Sequence, residues 1–110
     1  LNLSFVKFPF GLILAFGVIC PVNASSDIEA LNKLEYLTKD CLSSGNSDIC
    51  INALKFAEIV QRRSRLNEDF SCQAYALGLG ADLLMLSLDQ DRGKSANYML
   101  DKVKKICRGF

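Results

Sequence analysis

The chain contains no His and no Trp, and it contains no Pro after Pro21. The absence of His removes the most common general base and the most common metal ligand, which argues against hydrolytic triads and catalytic zinc sites. Of the 110 residues, 50% are hydrophobic and 23% are charged, a composition that excludes simple disorder. The net charge of +1 does not suggest a nucleic-acid-binding protein. The length predicts one small domain.

The first two dozen residues differ in composition from the rest of the chain. Lys7 is their only charged residue, and an apolar run from Phe8 to Cys20 follows it. The run is about 13 residues long, which is shorter than the roughly 20 residues of a membrane-spanning helix. This pattern predicts a secretory signal peptide over residues 1–24, with cleavage after Ala24.

Cleavage leaves residues 25–110 as one secreted or periplasmic domain without a stable membrane anchor. The domain keeps all 12 acidic residues and loses only Lys7 of the 13 basic ones, so its charges balance. Lipidation at Cys20 is the alternative. It is disfavoured because Ile19 precedes the cysteine, at a position where lipoprotein signals have a small residue.

Four segments of the domain show the three- and four-residue spacing of apolar side chains that is typical of amphipathic helices. The first segment ends at 43–46, and Ser47 or Asp48 caps the second; the third covers about 70–88, and a turn at 89–93 precedes the fourth. Short connections predict an all-α fold, either an up-down-up-down four-helix bundle or two stacked helical hairpins. The positions expected to face the core are Ile28, Leu31, Leu34, Leu37 and Cys41; Ile49, Cys50, Ala53, Phe56, Ala57 and Val60; Cys72, Tyr75, Ala76, Leu79, Leu83 and Leu86; and Ala96, Met99, Leu100, Val103, Ile106 and Cys107.

The domain has four cysteines, which allow three pairings. Cys41 ends the first helix and Cys50 begins the second, so both lie at one pole of the fold. Cys72 begins the third helix and Cys107 ends the fourth, at the opposite pole. A disulfide tolerates Cα separations of about 4.4–6.8 Å, far less than a helix length. We therefore predict the disulfides Cys41–Cys50 and Cys72–Cys107. A thiolate metal site or a redox pair is not indicated, because no Cys-x-x-Cys motif occurs.

The third segment carries a second apolar row, Leu77, Ala81, Leu84 and Leu88, roughly opposite its main row. A helix at the corner of a small bundle needs one apolar face, so the second row is a candidate interface for a protein partner or a second copy. The alternative is that the N-terminal segment and residues 61–70 cover this row.

Gly78 and Gly80 interrupt the same segment, each at a cost of about 1 kcal/mol relative to Ala. That cost indicates a close neighbour, either another helix of the chain or a ligand. Tyr75, Gly78, Leu79 and Asp82 lie near one another at helical spacing and are the candidate lining of a site for a small apolar molecule. For Asp82 the alternative is a boundary position or an internal hydrogen bond.

The remaining motifs do not indicate catalysis. Arg62, Arg63 and Arg65 suit a helix C-terminus as well as an acidic partner, and they lack the interleaved aromatic side chains that stack on single-stranded nucleic acid. The turn at 89–93 does not match a calcium loop, because its glycine is one position early and the twelfth position is Leu100. The sequence thus predicts a secreted or periplasmic binding module with no catalytic, cofactor or metal residues. A carrier of an apolar small molecule is the alternative.

Overall fold

The computed structural model describes residues 27–109, which form four α-helices and no strand. The predicted signal peptide, its cleavage site and Cys20 lie outside the described residues. The all-α fold is confirmed, and the third helix ends within one residue of its predicted boundary. The helices are α1, over residues 27–44; α2, Ser47–Leu66; α3, Phe70–Ser87; and α4, Gly93–Ile106, followed by a 3-10 turn at Cys107–Gly109.

The turn between α1 and α2 differs in one detail from the sequence prediction. Neither Ser47 nor Asp48 caps α2; the cap is Asn46, whose side-chain oxygen accepts the backbone N–H of Asp48 at 2.9 Å. Asn is as good a cap as Ser, and Gly45, at φ +67°, leads the chain into the extended backbone of the cap. The hydroxyl of Ser47 instead donates to the Ser87 carbonyl at the end of α3, at 2.9 Å.

Polar contacts join each helix to the next and return from α4 to α1, so the four helices form a closed ring. The contacts between α2 and α3 pair the end of one helix with the start of the other, as expected for an up-down arrangement. The four contacts are Arg63 Nη1 to Asp27 Oδ1 at 2.7 Å, Gln73 Nε2 to Gln61 Oε1 at 3.0 Å, Ser95 Oγ to Asp82 Oδ2 at 2.5 Å, and Lys104 Nζ to Glu35 Oε2 at 2.8 Å.

The core runs along the axis of this ring and is built from small and medium-sized side chains. Of the predicted core positions, Ile28 alone is exposed, at 62%. Its neighbour Asp27 turns towards α2 to bind Arg63, which leaves Ile28 at the edge of the bundle. The largest fully buried side chains are Leu34, Leu79, Leu83, Val60 and Val103.

The structure confirms both predicted disulfides. Cys41 and Cys50 have Cα atoms 4.8 Å apart at the pole where α1 turns into α2. Cys72 and Cys107 have Cα atoms 4.9 Å apart at the opposite pole, where α3 begins and α4 ends. All four cysteines are buried. Each pole of the bundle is therefore closed by one covalent link.

Candidate functional site

The predicted second row of α3 lies on the surface of the bundle. Leu77 is 53% exposed, Leu84 is 44% exposed and Leu88 is 61% exposed. Ala81 is exposed as well. Residues 61–70 leave the row exposed: 61–66 end α2, 67–69 connect the two helices, and Phe70 begins α3. The N-terminal segment, the other part of the chain expected to cover the row, lies outside the described residues.

The exposed row is longer than the sequence suggested. Continuing its alternating spacing of four and three residues towards the start of α3 reaches Ala74 and then Phe70, and both are exposed, Phe70 at 62%. That spacing is the sequence signal for these two residues, and it is the spacing of a coiled-coil seam. We call the whole set the outer stripe: Phe70, Ala74, Leu77, Ala81, Leu84 and Leu88.

A groove of about 210 Å³ runs along one side of the outer stripe, between α2 and α3. Its floor consists of small residues, which let the two helices approach closely. Glu58 and Gln61 of α2 are its polar rim. The groove is therefore mainly apolar and continuous with the outer stripe, and its lining is Leu54, Ala57, Glu58, Gln61, Ala76, Leu77, Gly80, Ala81 and Leu84.

The two glycines of α3 face the neighbouring helices of the same chain. A Cβ atom at Gly80 would lie 3.4 Å from Leu54 Cδ1 of α2. A Cβ atom at Gly78 would lie 3.1 Å from both Cε and Sδ of Met99 on α4. The expectation of a close neighbour at these glycines is confirmed, and that neighbour is intramolecular.

The predicted ligand lining is only partly brought together. Leu79 is fully buried in the core, Asp82 is buried, and Tyr75 is half-buried. Met99 occupies the space beside Gly78, where the sequence placed the ligand. Binding of an apolar molecule at this place stays a prediction, and it requires Met99 to move.

Asp82 makes internal contacts that account for its position. It accepts a hydrogen bond from Ser95 and lies 3.7 Å from Arg92 Nε, both at the beginning of α4. A carboxylate beside the first turn of a helix is favoured by the helix dipole. Asp82 therefore links α3 to α4, which agrees with the internal hydrogen bond that the sequence allowed.

A second groove, of about 550 Å³, separates α1 from α4. Its floor is apolar, and its rim carries charges of both signs. Sequence reasoning missed it because its two walls come from opposite ends of the domain sequence, and only the closed ring places them side by side. The lining residues are Ile28, Leu31, Asn32, Leu34, Glu35, Leu100, Asp101, Val103, Lys104, Lys105 and Arg108.

Glu35 stands at the rim of this second groove and binds two lysines. Lys104 Nζ lies 2.8 Å and Lys39 Nζ 2.9 Å from its Oε2 atom. The hydrogen bond from Lys104, followed by that from Lys39, holds the pKa of Glu35 below its ordinary value of 4.5. An ion pair between Lys104 and Glu35 thus connects α4 to α1 at the rim of this groove. The exposed surface of α3 carries no charged side chain that could form such a pair.

The arginine cluster at the end of α2 does not form one surface. Arg63 pairs with Asp27 of α1 at 2.7 Å, so it serves to join two helices. Arg62 and Arg65 are exposed. The cluster therefore divides into one structural arginine and two surface charges.

Between residues 27 and 109, no helix has both the length and the apolar character needed to cross a membrane. The same part of the chain shows no cluster of three or more Cys, Asp or Glu side chains arranged to hold a metal ion. Among the described residues, the outer stripe with its adjoining groove and the α1–α4 groove combine an apolar surface with a concave shape.

Comparison with models of known protein families, with curated proteins and with solved structures gives no significant match.

Proposed function

We propose that residues 25–110 form a secreted or periplasmic helical module that binds a protein partner or a second copy of itself through the outer stripe of α3. The single observation that carries this proposal is the exposure of large apolar side chains in one continuous line along a helix. Apolar patches of this kind on small proteins often mark contact surfaces.

The oxidised cysteines support a location outside the cytoplasm. Structural disulfides persist in oxidising compartments and are rare in reducing ones. Both pairs are buried and close the two poles of the bundle, as expected for links that stabilise a small core. Together with the N-terminal signal-peptide pattern, they favour secretion or export to a periplasm.

The proposal assigns a binding role and no catalysis. The most buried charged side chain of the described residues, Asp82, has its oxygens directed to Ser95 and Arg92, which are parts of the scaffold. Binding by the outer stripe depends instead on removing apolar surface from water, which contributes roughly 25 cal/mol per Å² buried.

Leu84→Glu tests the proposal. The wild type and the variant are each isolated from the protein's own source without reductant. Native mass spectrometry then compares the masses of their assemblies. We expect the wild type to carry a second chain, of its own or another kind, and the variant to lose it while keeping its far-ultraviolet helical signal.

Leu66→Glu is the matched control, since Leu66 is 77% exposed at the end of α2 and lies outside the outer stripe. It should retain the associated chain. Equal loss from both variants would show a general effect of charge, and loss of helical signal in Leu84→Glu alone would show that Leu84 supports the fold.

A carrier function is the second candidate, and the α1–α4 groove favours it. A volume of about 550 Å³ is within the range of small-molecule sites, and Leu31, Leu34 and Leu100 give it an apolar floor. Arg108 at the rim suits an anionic headgroup, and Lys105, which pairs with Asp101 at 3.1 Å, adds a second cation. A solvent extract of the purified protein should then contain a stoichiometric amphiphile, which Leu31→Glu should eliminate; an extract without one contradicts the carrier.

A further inference from the structure

We infer that the partner of the outer stripe is a second copy of this chain, with the two α3 helices antiparallel and related by a two-fold axis at the level of Leu79. The inference rests on the proposed function, because it names the occupant of the same surface. It follows from the order of residue sizes along the stripe and from the charges around it.

The spacing of the outer stripe is the same when read in either direction. The intervals between successive residues of the stripe are four, three, four, three and four, so the series is the same in both directions. An antiparallel copy therefore matches the stripe at every position. Leu77 then faces Ala81 of the copy, Ala74 faces Leu84, and Phe70 faces Leu88.

Side-chain size distinguishes this arrangement from a parallel one. In the antiparallel pair, each inner layer contains one leucine and one alanine, so large side chains fill the space that small ones leave. Such alternation allows two helices to interdigitate at close range. A parallel pair would place leucine opposite leucine and alanine opposite alanine. Layers that are too full would then alternate with layers that contain gaps.

Symmetry closes the assembly at two copies. The same stripe on both subunits forms an isologous contact, and a two-fold contact leaves no unsatisfied second surface for further growth. A dimer, and no higher filament, is therefore the expected product.

The charges near the stripe are compatible with self-pairing. Asp82 is the only charged side chain of α3, and it is buried against α4. A second copy consequently meets no repulsion along the helix. Along the line of the stripe, acidic residues stand only beyond its two ends, at Asp69 and Asp89. Beside the stripe, Glu58 of α2 stands on the rim of the adjoining groove.

The contact is small, which sets its expected strength. Eighteen residues of α3 make a helix about 27 Å long and about 10 Å wide, a footprint on the order of 300 Å². Stable interfaces bury about 800 Å² per partner, so the flanks of α2 and α4 must add to the contact. We expect a reversible dimer with a micromolar Kd.

Mixing two charge variants tests the pairing directly. Leu77→Glu alone and Ala81→Lys alone each place a charge in the interface and should sediment as monomers. Their equimolar mixture should form a dimer, because the introduced carboxylate and ammonium groups face each other only across an antiparallel contact. The readout is sedimentation velocity without reductant, with the wild-type dimer as reference and far-ultraviolet circular dichroism as the folding control.

A mixture of Leu77→Glu with Leu77→Lys is the matched control, since these positions face each other only in a parallel pair. Stronger dimerisation in this control mixture overturns the antiparallel arrangement. If a charged variant loses its helical signal, Leu77→Gln and Leu84→Gln replace it, and each should weaken the dimer at least tenfold.

The outcome separates this inference from the proposed function. A wild type that stays monomeric up to millimolar concentration overturns self-pairing. If that monomeric protein still carries a different chain, and Leu84→Glu removes it, the binding module stands with a different partner. If the wild type carries no second chain of any kind, both proposals fail.

Discussion

The inner and the outer face of α3 consist of the same kinds of residue and have opposite surroundings. The inner face places Ala76, Leu79 and Leu83 in the core with almost no exposed area. The outer face places Leu77 and Leu84 at the surface, half exposed. Apolar composition alone therefore does not decide which face is buried. The neighbours decide, because α2 and α4 close around one face only.

The largest expected difference between the two faces is in stability. Leu79→Ala should lower the free energy of unfolding by about 2–5 kcal/mol, because it leaves a cavity in the core. Leu77→Ala should change it by less than about 0.5 kcal/mol, because the side chain is half exposed and its removal leaves no cavity in the core. Urea unfolding of the two variants, at a protein concentration too low for self-association, measures both changes in the free energy of unfolding. Equal losses would mean that the outer stripe is part of the core.

The two disulfides allow a second comparison, since Cys72 is the first inner-face residue of α3. In the chain-entropy model, the link Cys72–Cys107, with a sequence separation of 35, contributes about 3.8 kcal/mol. The link Cys41–Cys50, with a separation of 9, contributes about 2.6 kcal/mol. Paired Cys→Ser variants should follow this order in thermal unfolding. If removal of Cys41–Cys50 costs more stability than removal of Cys72–Cys107, the packing between the inner face of α3 and α4 is sufficient without the disulfide.

Gly78 and Gly80 lie between the inner and the outer face of α3. Their substitution should change the free energy of unfolding less than the core and disulfide variants do. Gly80→Ala should stabilise the protein by about 0.5–1 kcal/mol, because alanine favours the helix and the new methyl group makes an ordinary contact with Leu54. Gly78→Ala should gain less, since Met99 must move to admit the methyl group. Thermal unfolding of both variants checks the order. A larger gain for Gly78→Ala would contradict the packing against α4.

Much of this architecture follows from the sequence because several local signals agree. The apolar period gives the helices and nearly all core positions, and helix polarity selects the cysteine pairing. The sequence does not single out Asn46 as the cap, because Ser47 and Asp48 are equally good capping residue types. Local pattern does not reveal which of several good caps the backbone of the turn will use.

The candidate site was only partly predictable for a different reason. The outer stripe could be located from Leu77 and Leu84 because its spacing is local to one helix. The α1–α4 groove depends on Glu35 and Lys104, which are distant in sequence and become neighbours only when the ring closes. Periodicity does not encode such contacts, and it did not show that Met99 would fill the space beside Gly78.

The smallest expected effect is on the pH dependence of stability. It should arise from the charged side chains between α1 and α4, since the outer stripe has none. Because the folded pKa of Glu35 is lowered, its contribution to stability is present above its ordinary value of 4.5 and is lost as the pH falls through the folded value. Glu35→Gln should remove that part of the pH dependence and cost at most about 1 kcal/mol at neutral pH.

Matched variants assign the cause of this pH effect. Lys104→Gln should reproduce most of it, and Lys39→Gln less, because the Lys104 bond is the larger cause of the lowered pKa. Acid titrations of stability measure all three variants. A larger effect of Lys39→Gln would contradict the role of Glu35 as the link between α1 and α4.

The most direct test of the outer stripe as a contact surface is native mass spectrometry of residues 25–110, oxidised and at micromolar concentration, for the wild type and Leu84→Glu. We expect a dimer for the wild type and a monomer for the variant, with both disulfides intact and equal helical content in each. The result that would contradict this expectation is a wild type that carries no second chain when isolated from its own source and stays monomeric when concentrated to the millimolar range. The outer stripe would then be an exposed apolar face with no binding role.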